Sequence, residues 1–187
     1  MRALFGLAAL LSLALAGIAQ QRVNEGAALD ADFLKRVAEY VKLRKSLEDG
    51  LPPATADKGK EATVRQQDLA KKIRTARPGA QRGDIFSPEI AARFRTLIVL
   101  AMQGGNAGRI RQSIKSTEPP DAPGLLGVNA QFPDRLPMPS TPPTILLNLP
   151  RLTDDVDYRI VGRSLVLHDM KAGMIIDVIP DAVPGAK

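Results

Sequence analysis

An α+β fold is predicted for this chain by a change of periodicity along it. Between residues 30 and 115 apolar side chains recur at three- and four-residue spacing, in segments closed by glycine or proline, which is the pattern of amphipathic helices. After Pro150 the pattern alternates, and Gly162-Arg163 separates two alternating runs as a two-residue hairpin turn does. Nine of the 15 prolines fall within residues 117–150. Proline lacks an N–H donor and fixes φ, so residues 116–150 are expected to form an extended connector.

The first residues are leader-like. Arg2 is followed by an apolar run from Ala3 to Ile18 interrupted only by Ser12. Gly17-x-Ala19 and Ala14-x-Ala16 both offer the small-residue spacing that a signal peptidase reads. Residues 1–19 are therefore expected to be a secretory signal peptide cleaved after Ala19 or Ala16, with retention as an anchor the alternative. Export implies a periplasmic or secreted protein. No later stretch nears the roughly 18 apolar residues of a spanning helix, so no transmembrane segment is expected after cleavage.

Residues 20–29 are expected to be a flexible entry segment. A first helix then starts from a cap at Asp30 or Asp32 and runs to about Glu48, burying Phe33, Leu34, Val37, Tyr40, Val41 and Leu47. Gly50 and Pro52-Pro53 stop it. A second helix is predicted over Lys60–Ala76, with Val64, Leu69 and Ile73 as its stripe and cations at its C-terminal end, where the helix dipole favours them. Ser87 caps a third helix with Pro88 at its first position, where a missing N–H costs nothing. Its stripe is Ile90, Phe94, Leu97, Ile98 and Ala101, and Gly104-Gly105 ends it. Ala107–Lys115 add a short basic fourth helix.

Residues 151–187 are predicted to form a three-stranded antiparallel meander over Asp157–Val161, Ser164–His168 and Met174–Ile179. The turn pairs Ile160 with Leu165 and Tyr158 with Leu167. A second turn over Met170–Gly173 pairs Leu167 with Ile176 and Leu165 with Val178. All six then share one face, and a slip of one residue would scatter them. Three strands alone are marginal, so that face is expected to pack on the helices.

Composition limits the chemistry. The chain of 187 residues has no cysteine, so neither disulfides nor a cysteine-linked lipid anchor is possible. Aromatics are only 4% of residues, which leaves the core mainly to Leu, Ile, Val and Ala. The net charge of +6 is uneven: residues 30–115 hold 18 Lys/Arg against 10 Asp/Glu, and residues 116–187 hold 6 against 9. A basic first half suits solvated helix faces, attraction to the mildly acidic second half or an anionic envelope surface. Nucleic acid is not an expected partner, because the basic residues lack interleaved aromatics and export is expected.

Motif-level chemistry is sparse. His168 is the one histidine, and the predicted register sets it opposite Asp157, making Asp157 and His168 a candidate pH-sensitive pair. Asp154, Asp155 and Asp157 form an acidic cluster without the glycine and closing glutamate of a calcium loop. Gly104-Gly105-Asn106-Ala107-Gly108-Arg109 lacks the Lys-Ser/Thr ending of a phosphate loop. Arg82-Gly83-Asp84 reads as a turn ahead of the third helix. No Gly-x-Ser-x-Gly elbow and no Ser-x-x-Lys occurs. No catalytic, cofactor-binding or metal residues are assigned, and no cofactor is expected.

Tyr158–Asp169 (YRIVGRSLVLHD), followed by Gly173–Pro180 (GMIIDVIP), resembles the terminal segment of secreted bacterial proteins of uncharacterised role, and the end of RcnB-type periplasmic proteins. Asp84–Glu89 (DIFSPE) resembles a recurring piece of the former group. The resemblance implies a small bacterial envelope protein. The nickel and cobalt homeostasis associated with the RcnB type is not carried over, because no soft-metal site is present. The expected function is a non-enzymatic interaction or binding module of the envelope. The alternatives are an exported hydrolase using carboxylates such as Asp84, Asp169 or Asp177, and an electrostatic binder of anionic lipid or cell-wall polymer.

Overall fold

A computed structural model describes residues 4–51, 60–103, 107–116, 126–132, 141–153 and 155–184, with side chains from residue 25 onward except those of 60–62 and 113–116. Helices precede a C-terminal antiparallel sheet, as the change in periodicity predicts. Pro52-Pro53, the Gly104-Gly105-Asn106 bend and Asp154 lie outside the described residues.

Helix α1 spans Leu4–Glu48. It is therefore helical through 20–29, where a flexible entry is expected, and neither Asp30 nor Asp32 is a cap. Both acids have partners that suit a helix interior. Asp32 accepts from Arg36 Nε one turn on at 2.9 Å, and Asp30 pairs with Arg93 of the third helix at 3.2 Å. Gly26 lies under the same guanidinium, where an added Cβ would sit 3.1 Å from Arg93 Cζ. Tertiary contact thus extends the helix where local signals suggest a start.

Helix α2 spans Lys60–Ala76 and helix α3 Pro88–Ala101, both as predicted. Ser87 Oγ accepts from Ile90 N at 3.4 Å, with Pro88 in the first turn. Helix α4 spans Ala107–Ser116. The stripes are buried at Phe33, Val37, Tyr40, Val41, Leu69, Ile73, Ile90, Phe94 and Ile98, but Leu34 and Val64 are exposed. Phe33, Phe86, Phe94 and Tyr158 gather at the centre, with Phe33 4.8 Å from Phe94 and 5.4 Å from Phe86 between ring centroids. Four of the chain's seven aromatic residues thus form one cluster, in contact geometries favoured by ring quadrupoles.

Strands β1 (Val156–Val161), β2 (Ser164–Asp169) and β3 (Met174–Ile179) form a sheet in the order β1-β2-β3. The first hairpin has the predicted register, with Ile160 opposite Leu165, Tyr158 opposite Leu167, and Gly162 at φ 58°. The second does not. Leu165 faces Ile179, Leu167 faces Asp177 and His168 faces Ile175, leaving Ile176 as the extra residue of a bulge. Val178 consequently leaves the helix-facing side and joins Val161, Val166 and Ile175 on the other, while Ile179 takes its place in the main core.

Both sheet faces are covered. Tyr158, Ile160, Leu165, Leu167, Ile176 and Ile179 share a core with α1, α2 and α3. Leu126 and Phe132 of the connector cover the opposite face, and residues 129–132 hydrogen-bond to β3 with Gln131 bridged to Met174. The connector also contains a one-turn helix, α5 (Pro143–Leu146), with Pro142 as N-cap and Pro143 as first residue, positions that need no N–H. Thr141 Oγ1 donates to Tyr158 O at 2.7 Å and holds this segment to the sheet.

Candidate functional site

The Asp157–His168 pair exists. Opposite placement in the β1–β2 ladder brings His168 Nδ1 to 3.0 Å from Asp157 Oδ1. Arg159, two residues along the same face, pairs with the other Asp157 oxygen. The ring of Phe132 covers the imidazole at 4.9 Å between centroids, and His168 is buried. Burial pushes the Asp157 carboxyl upward, but hydrogen bonds with His168 and Arg159 outweigh it and hold the group below the usual carboxylate range. The arrangement fixes the second sheet face under the connector.

The three acids of the hydrolase alternative do not share a cleft-facing arrangement. Asp177 is fully buried. The bulge turns it to the helix side, where its oxygens accept from the backbone N–H groups of Gly83 (3.1 Å), Ile85 (2.9 Å) and Phe86 (2.8 Å). The Arg82-Gly83-Asp84 turn is thus a nest of donors closed by one internal carboxylate. Gly83 has φ 96°, which lets the chain wrap around it. Asp169, also fully buried, accepts from Tyr40 Oη at 2.7 Å and from Lys171 N and Ala172 N at 2.8 and 3.0 Å. Burial and the neighbouring Asp169 push the Tyr40 hydroxyl far above its ordinary range, so it stays a donor. Asp84 accepts from Gln81 N and lies 3.7 Å from Arg77.

Sequence reasoning missed Arg44. Its side chain has no exposure, yet it carries a guanidinium that bonds Glu48 Oε1 at 2.6 Å and Asp155 Oδ2 at 2.7 Å, with Nε 3.5 Å from Asp169. Lys171 adds longer pairs to Glu48 and Asp155. The hydrogen bond from Arg44 lowers the Asp155 carboxyl against a smaller effect of burial. The signal was available: the spacing Phe33-Val37-Tyr40-Arg44 continues the buried stripe, so a charge at that position implies a buried partner. Asp155 of the sequence's acidic cluster is therefore a structural ion-pair partner. No group of three His, Asp or Glu among the described residues could hold a metal ion.

A concave feature lies beside this network. A cleft of about 460 Å³ opens between α1 and the 77–85 turn, with Tyr40, Leu43 and Ile85 among its lining and Lys35, Arg36, Glu39, Arg77 and Asp84 contributing charge. Arg77 lies over the Tyr40 ring at 5.2 Å and donates to Asn129 Oδ1 at 3.3 Å. Arg36 is held by Asp32 and by the Asp84 carbonyl. No helix among the described residues is long and apolar enough to cross a membrane. Comparison of the chain with family models, with curated proteins and with solved structures finds no match in any of the three.

Proposed function

We propose that the chain is an exported protein of the bacterial envelope that acts as a non-enzymatic binding module. One observation carries this reading: Asp169 and Asp177, two of the three acids named for the hydrolase alternative, are fully buried and committed to internal donors. A general acid or base must reach its substrate within hydrogen-bond distance, and these carboxylates instead tie α1 and the 82–86 turn to the sheet. The leader-like residues 1–19 support export. Affinity capture from bacterial envelope extracts, with the processed chain as bait, tests the reading. A reproducible partner supports it. Hydrolytic turnover that disappears in an Asp84, Asp169 or Asp177 variant still folded by circular dichroism would support the hydrolase alternative instead.

A second reading, attachment to anionic lipid or cell-wall polymer, is favoured by the exposed cations Lys71, Arg74 and Arg111 on α2 and α4. Such binding weakens steeply with salt, because exposed charges are screened over about 10 Å at 0.1 M ionic strength. Co-sedimentation with envelope fragments across a salt series checks it, and salt-insensitive sedimentation counts against it.

A further inference from the structure

We infer that the cleft between α1 and the 77–85 turn binds a dipeptide-like zwitterion through separate contacts to its carboxylate and its amine. The inference deepens the binding-module reading and rests on it. At about 460 Å³ the cleft falls within the size range of small-ligand sites, and its lining combines the three kinds of contact that such a ligand needs.

The carboxylate contact is Arg77. Its guanidinium is fixed over the Tyr40 ring, and that ring is fixed in turn by the hydroxyl's bond to Asp169. One nitrogen, Nη1, is anchored on Asn129. The other, Nη2, forms only a long ion pair with Asp84, at 3.7 Å, beyond hydrogen-bond reach. A planar, immobilised guanidinium whose second arm is held only by a long ion pair can take a ligand carboxylate in closer, bidentate contact with little further loss of freedom. Lys35 adds a second cation at the rim.

The amine contact is Glu39. Lys35 and Glu39 are four residues apart on α1, a spacing that commonly pairs, yet neither forms an ion pair with a described residue. Asp32 differs, being occupied by Arg36. Among the described residues the rim thus presents one cation and one anion that no ion pair holds, and a ligand of a single charge would use only half of it. Leu43 and Ile85 supply the apolar wall for a side chain between the two ends.

Titration of the full processed chain with alanyl-leucine, followed by amide chemical shifts and calorimetry, tests the inference. Saturable shifts confined to α1 around 35–43 and to residues 77–85 are expected. C-terminal amidation of the dipeptide should weaken binding at least tenfold, and N-acetylation several-fold. Glu39→Gln, at an exposed position, should remove the penalty of N-acetylation, and Arg77→Gln should remove that of amidation. Lack of saturable shifts at millimolar dipeptide, or equal binding of the amidated form, overturns the inference. If partner capture from envelope extracts persists while the dipeptide fails, the cleft assignment falls and the binding-module reading stands; if both fail, both fall.

Discussion

Single buried carboxylates do much of the organising in this chain. Asp177 closes a ring of backbone donors that nothing else nearby satisfies, so replacing one of its oxygens is costly. Asp177→Asn keeps the volume but presents an amide N–H₂ to groups that are themselves donors. Leaving buried, charge-assisted bonds unmade costs roughly 2–3 kcal/mol, and urea denaturation should show a loss of that size. A midpoint within a few tenths of a kcal/mol of the parent would mean that the 82–86 turn is held by something other than Asp177. The acid limb of stability has its own source. Asp157 is lowered by His168 and Arg159 despite burial, and Asp155 chiefly by its hydrogen bond from Arg44. A carboxyl depressed in the folded state adds stability that is complete above its unfolded value, about 3.9, and is lost as pH falls through the lower folded value. The urea midpoint should therefore hold through neutral pH and drop below about pH 4. The Asp155→Asn, Asp157→Asn double variant should start lower and drop less. An unchanged acid limb in that variant would reassign it to other carboxyls.

At the scale of elements, charge joins α1 to the sheet and glycine shapes the turn into β3. Arg44→Met removes the cation from between Glu48, Asp155 and Asp169 and leaves the fully buried Asp169 carboxylate without the guanidinium beside it. Breaking a buried pair from one side costs about 3–5 kcal/mol, and the variant should melt far below the parent in a thermal scan. Adding Asp169→Leu should recover part of that loss, because the stranded charge then disappears; a further drop would show that Asp169 acts mainly through Lys171 and Ala172 N–H. Gly173 has φ 59°, and a Cβ there would lie 2.7 Å from the Gln66 side chain of α2. Gly173→Ala should lose about 1–2 kcal/mol to backbone strain, and Gln66→Ala should not rescue it, since the side-chain clash is the smaller part. The sheet also shows how far a sequence can be read. The β1–β2 register follows from Gly162-Arg163, because a two-residue turn admits one pairing. The β3 register does not, because the bulge at Ile176 adds a residue that alternation cannot signal: Ile175, Ile176, Val178 and Ile179 are all apolar and fit either face. The Asp157–His168 pair was legible because it hangs on the first hairpin. The stripe position signalled the burial of Arg44, but its partner Asp155 and the cleft were not legible, since each depends on α1 meeting residues more than thirty positions away.

For the molecule as a whole, the question is whether the helices and the meander are separable. The main core runs from Phe33 on α1 through Ile90 and Phe94 on α3 to Tyr158, Leu165 and Ile176 on the sheet, and on to Val183. Asp30, Arg44 and Asp177 each find partners in a different element. Neither half has an apolar face that it could bury alone: the meander's helix-facing side would be bare, and α1 would expose Phe33, Val37 and Tyr40. Cooperative unfolding in one transition is therefore expected, with helix content, tyrosine environment and backbone protection lost together. A fragment ending at residue 116 should be largely unfolded in isolation, and one comprising residues 126–187 should bind hydrophobic dye or aggregate. Mixing the two should restore the native amide spectrum if the core alone specifies the assembly. Independent, sharp folding of the helical fragment would overturn this view, and would mean that the aromatic cluster of Phe33, Phe86 and Phe94 suffices without Tyr158 and the sheet.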